Sequence, residues 1–330
     1  MDILITGGAG YIGSHVVKQL GERTDHKITT LDNLSTGNRK AVLYGKFIEE
    51  DLAKFSQVEK IFSLNHFDAV IHFAASIVVP ESVENPMKYY LNNTVNTAWL
   101  LNLCNKYKVG KFIFSSTAAV YGEPEQKNVK ISETAQTAPI NPYGKSKLMI
   151  EEMIQDLEFS NPNFKYVILR YFNVAGADID GRIGQDFPDA THLIKVAAQT
   201  ACGMRDKIYI FGDDYKTKDG TCIRDYIHVD DLASAHLSAL SYLDDNKSDI
   251  FNCGYGRGFS VKEVLDVMKK VSKTDFTIET VGRRMGDPDV LVADNNKIMS
   301  MMNWKPEHND LKVICRTALD WEKKNREIQG

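Results

Sequence analysis

The chain has 330 residues, 43% of them hydrophobic and 25% charged, with a formal net charge of −4. This is the make-up of an ordinary globule large enough for two domains or one sizeable core, and its acidic balance argues against a surface built for nucleic-acid phosphates. No apolar run approaches a membrane span, the start leads straight into a strand with no room for a signal peptide, and five scattered cysteines without a CxxC pair read as reduced thiols in the cytoplasm.

The first strand is expected over 3–6, and the glycines of Thr-Gly-Gly-Ala-Gly-Tyr-Ile-Gly follow at once, from Thr6 to Gly13, before a helix over 11–23. Strand, glycine turn and helix start form the setting in which backbone amides and a helix N-terminus hold a pyrophosphate. Gly7, Gly10 and Gly13 fall three apart, and Gly8, Gly10 and Gly13 spell GxGxxG. A second apolar strand over 28–32 ends in Asp32, about 20 residues on from the loop. A carboxylate there accepts hydrogen bonds from a ribose 2′-hydroxyl and repels a 2′-phosphate, so NAD is favoured over NADP. The plainer alternative is glycine kept only for tight packing; the strand context and the acid weigh against it.

Further strands are expected over 46–50, 69–73, 111–116 and 166–172, with helices over 55–64, 86–107 and 143–159. Repeated β-α alternation with apolar strands predicts an α/β fold with a doubly wound parallel sheet covered on both faces. The strand over 111–116 leads into Ser115-Ser116-Thr117, at the carboxyl end where open sheets place ligands. Alone, such a cluster is more often a turn or a helix cap. The helix after it opens on Asn-Pro-Tyr-Gly-Lys-Ser-Lys, where Tyr143 and Lys147 are four apart and share a face. An ammonium beside the phenol favours the phenolate, which turns a group titrating near about 10 into a base at neutral pH. Thr117 is placed to complete a trio with them. The long helix over 86–107 and the Tyr143 helix together are a candidate dimer interface.

Beyond 172 the pattern loosens into a glycine- and aspartate-rich loop over 176–189 and shorter elements. The expected division is a nucleotide-binding domain over 1–173 and a smaller substrate domain over 174–330, with stretches near 230–253 candidates for returning to the first. His228, Asp230 and Asp231 read as a helix start, and no metal is expected.

These motifs together resemble the extended short-chain dehydrogenase/reductase family, and most closely its UDP-galactose (UDP-hexose) 4-epimerases. The resemblance runs from Thr6 to about Trp304 and is carried by TGGAGYIG, LDNLSTG from Leu31, HFAA from His72 and SSTAAVYG from Ser115. NPYGKSK from Asn141, RYFNVAG from Arg170, RDYIHVDDLA from Arg224 and GRRMGDP from Gly282 continue it. It implies a Rossmann sheet holding NAD throughout the cycle, a smaller UDP-sugar domain, and a homodimer. Thr117, Tyr143 and Lys147 would be catalytic. Tyr143 would take the proton of the sugar 4-hydroxyl, Thr117 would hold that oxygen, and Lys147 would hold the nicotinamide ribose and lower the tyrosine pKa. Gly7, Gly10, Tyr11, Ile12 and Gly13 would meet the pyrophosphate, with Asp32, Asn33, Ser35, Thr36 and Gly37 around the adenosine ribose. Asp51 and Leu52 would bracket the adenine, Phe73, Ala74, Ala75, Asn92 and Ser115 would line the rest of the cofactor, and Tyr171 would lie by the nicotinamide. Asn173, Leu193, Tyr209, Phe211, Arg224, Arg284 and Asp287 would hold the UDP, where arginine suits a diphosphate. Without the motif, surface salt bridging would be the simpler account of the two arginines.

Two positions depart from the family pattern. Ile77 stands where a lysine is frequent, and Leu291 where several members carry a tyrosine facing the sugar, so the sugar pocket is expected to be wider. The related 4,6-dehydratases carry Asp-Glu after the active-site threonine, whereas Ala118-Ala119 follow here, so dehydration lacks its carboxyl groups. A uronate epimerase or decarboxylase on the same fold is less favoured. A silent NAD sensor is disfavoured because the chain keeps both tyrosine and lysine.

Overall fold

The computed structural model describes residues 1–123, 130–187, 191–284 and 287–329, with side chains as far as 325. Its first half runs Asp2–Thr6 (β1), Tyr11–Arg23 (α1), Lys27–Asp32 (β2), Lys46–Glu49 (β3), Phe55–Leu64 (α2), Ala69–His72 (β4), Val79–Glu84 (α3), Pro86–Tyr89 (α4), Asn96–Lys106 (α5), Lys111–Thr117 (β5), Pro142–Ser160 (α6) and Lys165–Tyr171 (β6). The second runs Asn173–Ala175 (β7), Leu193–Ala201 (α7), Lys207–Phe211 (β8), Ile223–His228 (β9), Val229–Asp245 (α8), Asp249–Cys253 (β10), Gly258–Ser260 (β11), Val261–Ser272 (α9), Thr277–Val281 (β12), Val290–Leu291 (β13), Asn296–Met301 (α10) and Leu311–Gln329 (α11).

One seven-stranded sheet, in the order β10-β6-β5-β4-β1-β2-β3, is parallel throughout. Its strands alternate between two cores. Ile3, Ile5, Ile113, Val167 and Leu169 pack into one with residues of α1 and α8. Leu4, Phe112, Phe114 and Ile168 pack into the other with residues of α2, α5 and α6. Both faces being buried is why these strands read as continuous apolar runs. The strand order reverses between β1 and β4, and a ligand crevice belongs at the carboxyl ends beside that point.

One feature was not expected from sequence spacing alone. The helix over 86–107 is interrupted, because Tyr90–Val95 form a π-helical turn between α4 and α5. A widened turn carries an extra residue and is frequent at functional sites. Here Asn93 Nδ2 donates to the Ser76 carbonyl and to Ser146 Oγ, each at 3.0 Å, and Asn93 Oδ1 accepts from Ser76 N at 2.8 Å. As expected, β5 ends in the Ser-Ser-Thr cluster, running through Thr117.

The edge strand β10 pairs with β6, and α8 packs against α1, so these late segments lie with the first sheet. In the remainder, β7, β11 and β13 all pair with β9, and β8 pairs with β12. Because β7 begins two residues after β6 ends, an inner strand of the first sheet feeds directly into the second.

Candidate active site

The glycine loop is shaped for close backbone approach. Gly7 has φ 72°, the left-handed region that favours glycine, and a Cβ there would come within 2.5 Å of Ala74 N. A Cβ on Gly13 would lie 2.3 Å from the Gly7 carbonyl oxygen. Helix α1 starts at Tyr11 with Gly10 as a cap that has no side chain, so its first amides have no side-chain acceptor. Ile12 packs on the core, while the Tyr11 hydroxyl donates to the Gly176 carbonyl at 2.6 Å.

Asp32 closes β2. It accepts from Ala9 N at 2.9 Å and Leu34 N at 2.8 Å; burial raises its carboxyl pKa while these two amides lower it. One hydrogen bond on each oxygen leaves room for a further donor on each. Asn33 Oδ1 accepts from Ser35 N at 3.0 Å and Asn33 Nδ2 donates to Asp51 at 2.8 Å, which ties the end of β2 to the end of β3. Thr36 and Gly37 continue that turn, and a Cβ on Gly37 would sit 2.9 Å from the backbone of Ala9. Leu52 is buried. Phe73 N and Ala74 N both donate to the Thr6 carbonyl, at 2.9 and 3.2 Å, and carry the chain into Ala75. Asn92, in the π turn, donates to Ser76 Oγ at 2.9 Å. Ile77 is half exposed. Uncapped amides, glycines that admit backbone contact and a carboxylate at the strand end fit a dinucleotide.

Tyr143 and Lys147 come from the first two turns of α6. That helix begins where it does because Asn141 accepts from Gly144 N at 2.8 Å and Pro142 follows it. The Thr117 side chain lies beside the Tyr143 phenol, and its Oγ1 accepts from Ala119 N at 3.1 Å. Lys147 Nζ donates to the Ser115 carbonyl at 2.9 Å and lies 4.9 Å from the centre of the Phe114 ring. The Tyr171 hydroxyl donates to Ser115 Oγ, and the Tyr89 ring stands edge-on to Tyr143, centroids 6.4 Å apart. Both members of the expected pair are desolvated. Burial raises the phenol and the neighbouring Thr117 side chain is what lowers it. Lys147 is itself desolvated, which pulls its pKa down to about 7 against the attraction of Glu151.

The residues expected to hold the substrate fall on the second sheet and the elements around it. Asn173 lies opposite Tyr226 in the pairing of β7 with β9, and Leu291 lies opposite Arg224 in the pairing of β13 with β9. Arg224 is buried and pairs with Asp287 at 2.7 Å, so it is no surface salt bridge. The Arg284 guanidinium stacks 3.7 Å above the Phe211 ring, and Tyr209 is the next ring along β8. Leu193 opens α7. Leu291 packs on a small core of Ala118, Val120, Tyr121, Ile131 and Phe172, which joins the segment after Thr117 to the segment after Tyr171. Met285 and Gly286 of the GRRMGDP run, and Pro188 and Asp189 of the 176–189 loop, lie outside the described residues.

A buried ion pair between Glu151 and Arg170 beneath the Tyr143 helix was not expected from sequence. One signal was available, since Glu151 follows Lys147 by four residues on the same helical face. Among the described residues, donor atoms of His228, Asp230 and His308 approach within 4.8 Å of one another. Two of the three, His228 and Asp230, are already committed. His228 Nδ1 caps Asp230 N at 3.1 Å, its Nε2 is 3.1 Å from Thr317 Oγ1, and Asp230 takes the Lys18 ammonium at 2.6 Å. A cation would have to compete with that ammonium.

A model of the NAD dependent epimerase/dehydratase family matches residues 3–254. The chain is 50% identical to the UDP-glucose 4-epimerase of Azospirillum brasilense, over 99% of this chain and 94% of that one. Among solved structures it is 58% identical to the UDP-Glc/GlcNAc 4-epimerase of Campylobacter jejuni, with a TM-score of 0.87 over 98% of this chain and 99% of that one. It is 34% identical to a UDP-glucose 4-epimerase of Bifidobacterium longum in complex with NAD+ and UDP, with a TM-score of 0.93 over 99% of each chain.

Proposed function

The chain belongs to the NAD dependent epimerase/dehydratase family, and from that premise we propose that it is a UDP-hexose 4-epimerase, interconverting UDP-glucose and UDP-galactose through a transient 4-keto sugar. One observation carries the reading. At the carboxyl end of β5, Thr117 stands beside the Tyr143 phenol and the Ser115 carbonyl takes the Lys147 amine, while Ala118 and Ala119 follow with no acid for water loss.

When bound, NAD supplies a hydride acceptor for sugar C4 and, once the sugar has turned, a hydride donor. Tyr143 takes the proton of the 4-hydroxyl and later returns it, and Thr117 holds the same oxygen. Burial keeps the proton on Tyr143, so the Lys147 charge is needed to make the phenol a base. The loop from Gly7 to Gly13, Asp32 with the turn to Gly37, Asp51, Leu52, residues 73–75, Asn92, Ser115 and Tyr171 form the cofactor side. Arg224 and Arg284 meet the diphosphate, with Asn173, Leu193, Tyr209, Phe211 and Asp287 around the UDP.

The acetamido sugars UDP-GlcNAc and UDP-GalNAc belong to the same reading. Leu291 leaves more room than a tyrosine and offers no hydroxyl, and the Campylobacter jejuni relative is described as a UDP-Glc/GlcNAc 4-epimerase. Residues 1–173 form the nucleotide domain and 174–330 the sugar domain, with α8 and β10 returning to the first. The enzyme works as a homodimer joined through the 86–107 segment and α6. Met87, Leu91 and Val95, one turn apart, are largely exposed, as is Met149 on α6. No helix among the described residues is long and apolar enough to cross a membrane, and Cys104, Cys222, Cys253 and Cys315 are free thiols, which suits a reducing cytoplasm. The test is incubation of purified protein with each UDP-sugar and separation of the products. Recovery of UDP-glucose and UDP-galactose unchanged sinks the reading.

A further inference from the structure

Three consecutive residues at the end of β5 are each tied to one face of α6. The Ser115 carbonyl takes Lys147, the Thr117 side chain stands beside Tyr143, and between them the Ser116 hydroxyl bonds the Glu151 carboxylate. Positions 143, 147 and 151 form a single helical stripe. Ser116 continues the strand face of Phe112 and Phe114, which share a core with Ile150 and Ile154 of α6.

Glu151 is fully buried, and a lone carboxylate there would be costly. Arg170 offsets that cost, with Nε 3.0 and 3.1 Å from the two oxygens and Nη2 2.5 Å from one. Arg170 lies directly opposite Ser116 in the pairing of β5 with β6, and Asn252 lies opposite Arg170 in β10. The Tyr121 hydroxyl accepts from Arg170 at 3.0 Å and donates to Asn252 at 2.7 Å. A polar row thus crosses three strands under the proposed reaction centre. An apolar set of the same volume is often as stable as a buried ion pair, so stability alone is a weak reason for it.

We propose that Glu151 is a positioning residue: through Ser116 and the Arg170–Tyr121–Asn252 row it fixes α6 against the end of β5, and with it the Tyr143–Thr117 and Lys147–Ser115 separations. This rests on the reading of the site as an epimerase. Glu151 also acts by charge, because its carboxylate favours the Lys147 ammonium. The other titratable groups around that amine are Tyr143 on the same helix and His72 from β4. His72 is kept neutral by burial, and its nitrogens are shared with Thr6 and Thr97.

The test uses the holoenzyme and UDP-galactose across a pH series. Ser116→Ala removes one hydroxyl and leaves the ion pair in place. It is expected to lower kcat by about tenfold or more with little change in KM, since misplacing reacting groups by about 1 Å can cost ~10²-fold. Glu151→Gln keeps the shape without the charge. It is expected to lower kcat and to move the alkaline limb of the kcat profile to lower pH, because Lys147 loses the anion that holds its proton. Ile154→Val, in the same helix and core, trims the packing and is expected to keep wild-type kcat. If Ser116→Ala matches wild type in kcat and pH profile and differs only in melting temperature, the row is structural and the proposal is wrong, while the functional reading survives. A wild type that leaves UDP-galactose unchanged overturns both. Should Glu151→Gln fail to fold, Ser116→Ala decides alone.

Discussion

The Lys147 ammonium donates to the Ser115 carbonyl at 2.9 Å in a site where burial pulls its pKa from 10.5 to about 7. Between those values the unfolded chain binds more protons than the folded one, so stability rises with pH there. The penalty from this residue is complete below about pH 7 and relieved as pH climbs toward about 10. With nucleotide removed, Lys147→Met is expected to melt above wild type near neutral pH, the gap closing as the solution becomes alkaline. A gap that widens with pH contradicts this account.

Tyr143→Phe removes only a hydroxyl from a packed ring, so fold and bound NAD are expected to persist while turnover falls by ~10² to 10⁴-fold. The checks are the nucleotide released on denaturation and the epimerisation rate. Wild-type turnover in this variant would remove Tyr143 from the mechanism.

Asp32 predicts the identity of that released nucleotide. Its carboxylate, tied to Ala9 N and Leu34 N, repels a 2′-phosphate. Denatured protein is expected to yield NAD, and added NADP is expected not to replace it. NADP as the main species recovered overturns the assignment.

Leu291 predicts substrate breadth. The 4-keto sugar has to turn within the pocket, and an N-acetyl group at C2 makes the turning body larger. Leu291→Tyr is expected to cut the UDP-GlcNAc to UDP-GalNAc rate far more than the UDP-glucose to UDP-galactose rate. Equal losses on both sugars, or a wild type that ignores the acetamido pair, count against a gate at this position.

The sheet was legible because strands buried on both faces spell themselves as apolar runs, as with Ile3, Leu4 and Ile5. The Tyr143 and Lys147 pair was legible because helical spacing is local. What stayed hidden was non-local. Arg224 and Asp287 are 63 residues apart, and nothing short of the fold brings them to 2.7 Å. Arg170 reads as an ordinary charged residue until β6 sets it opposite Ser116. The π turn over Tyr90–Val95 has the composition of any helix, and its extra residue answers to the packing of Asn93 against Ser76 and Ser146. Spacing gives the proximity of Lys147 to Tyr143, but not the desolvation that both groups share.

The pairing of β10 with β6 has a consequence for how the chain is made. On the ribosome, β6 emerges long before residues 249–253, and until they arrive its outer edge presents unpaired amides and carbonyls to any other strand. A stop or a cut after residue 173 would leave that edge open for good. The N-terminal half is therefore a poor candidate for independent expression or for exchange between relatives as a self-contained block.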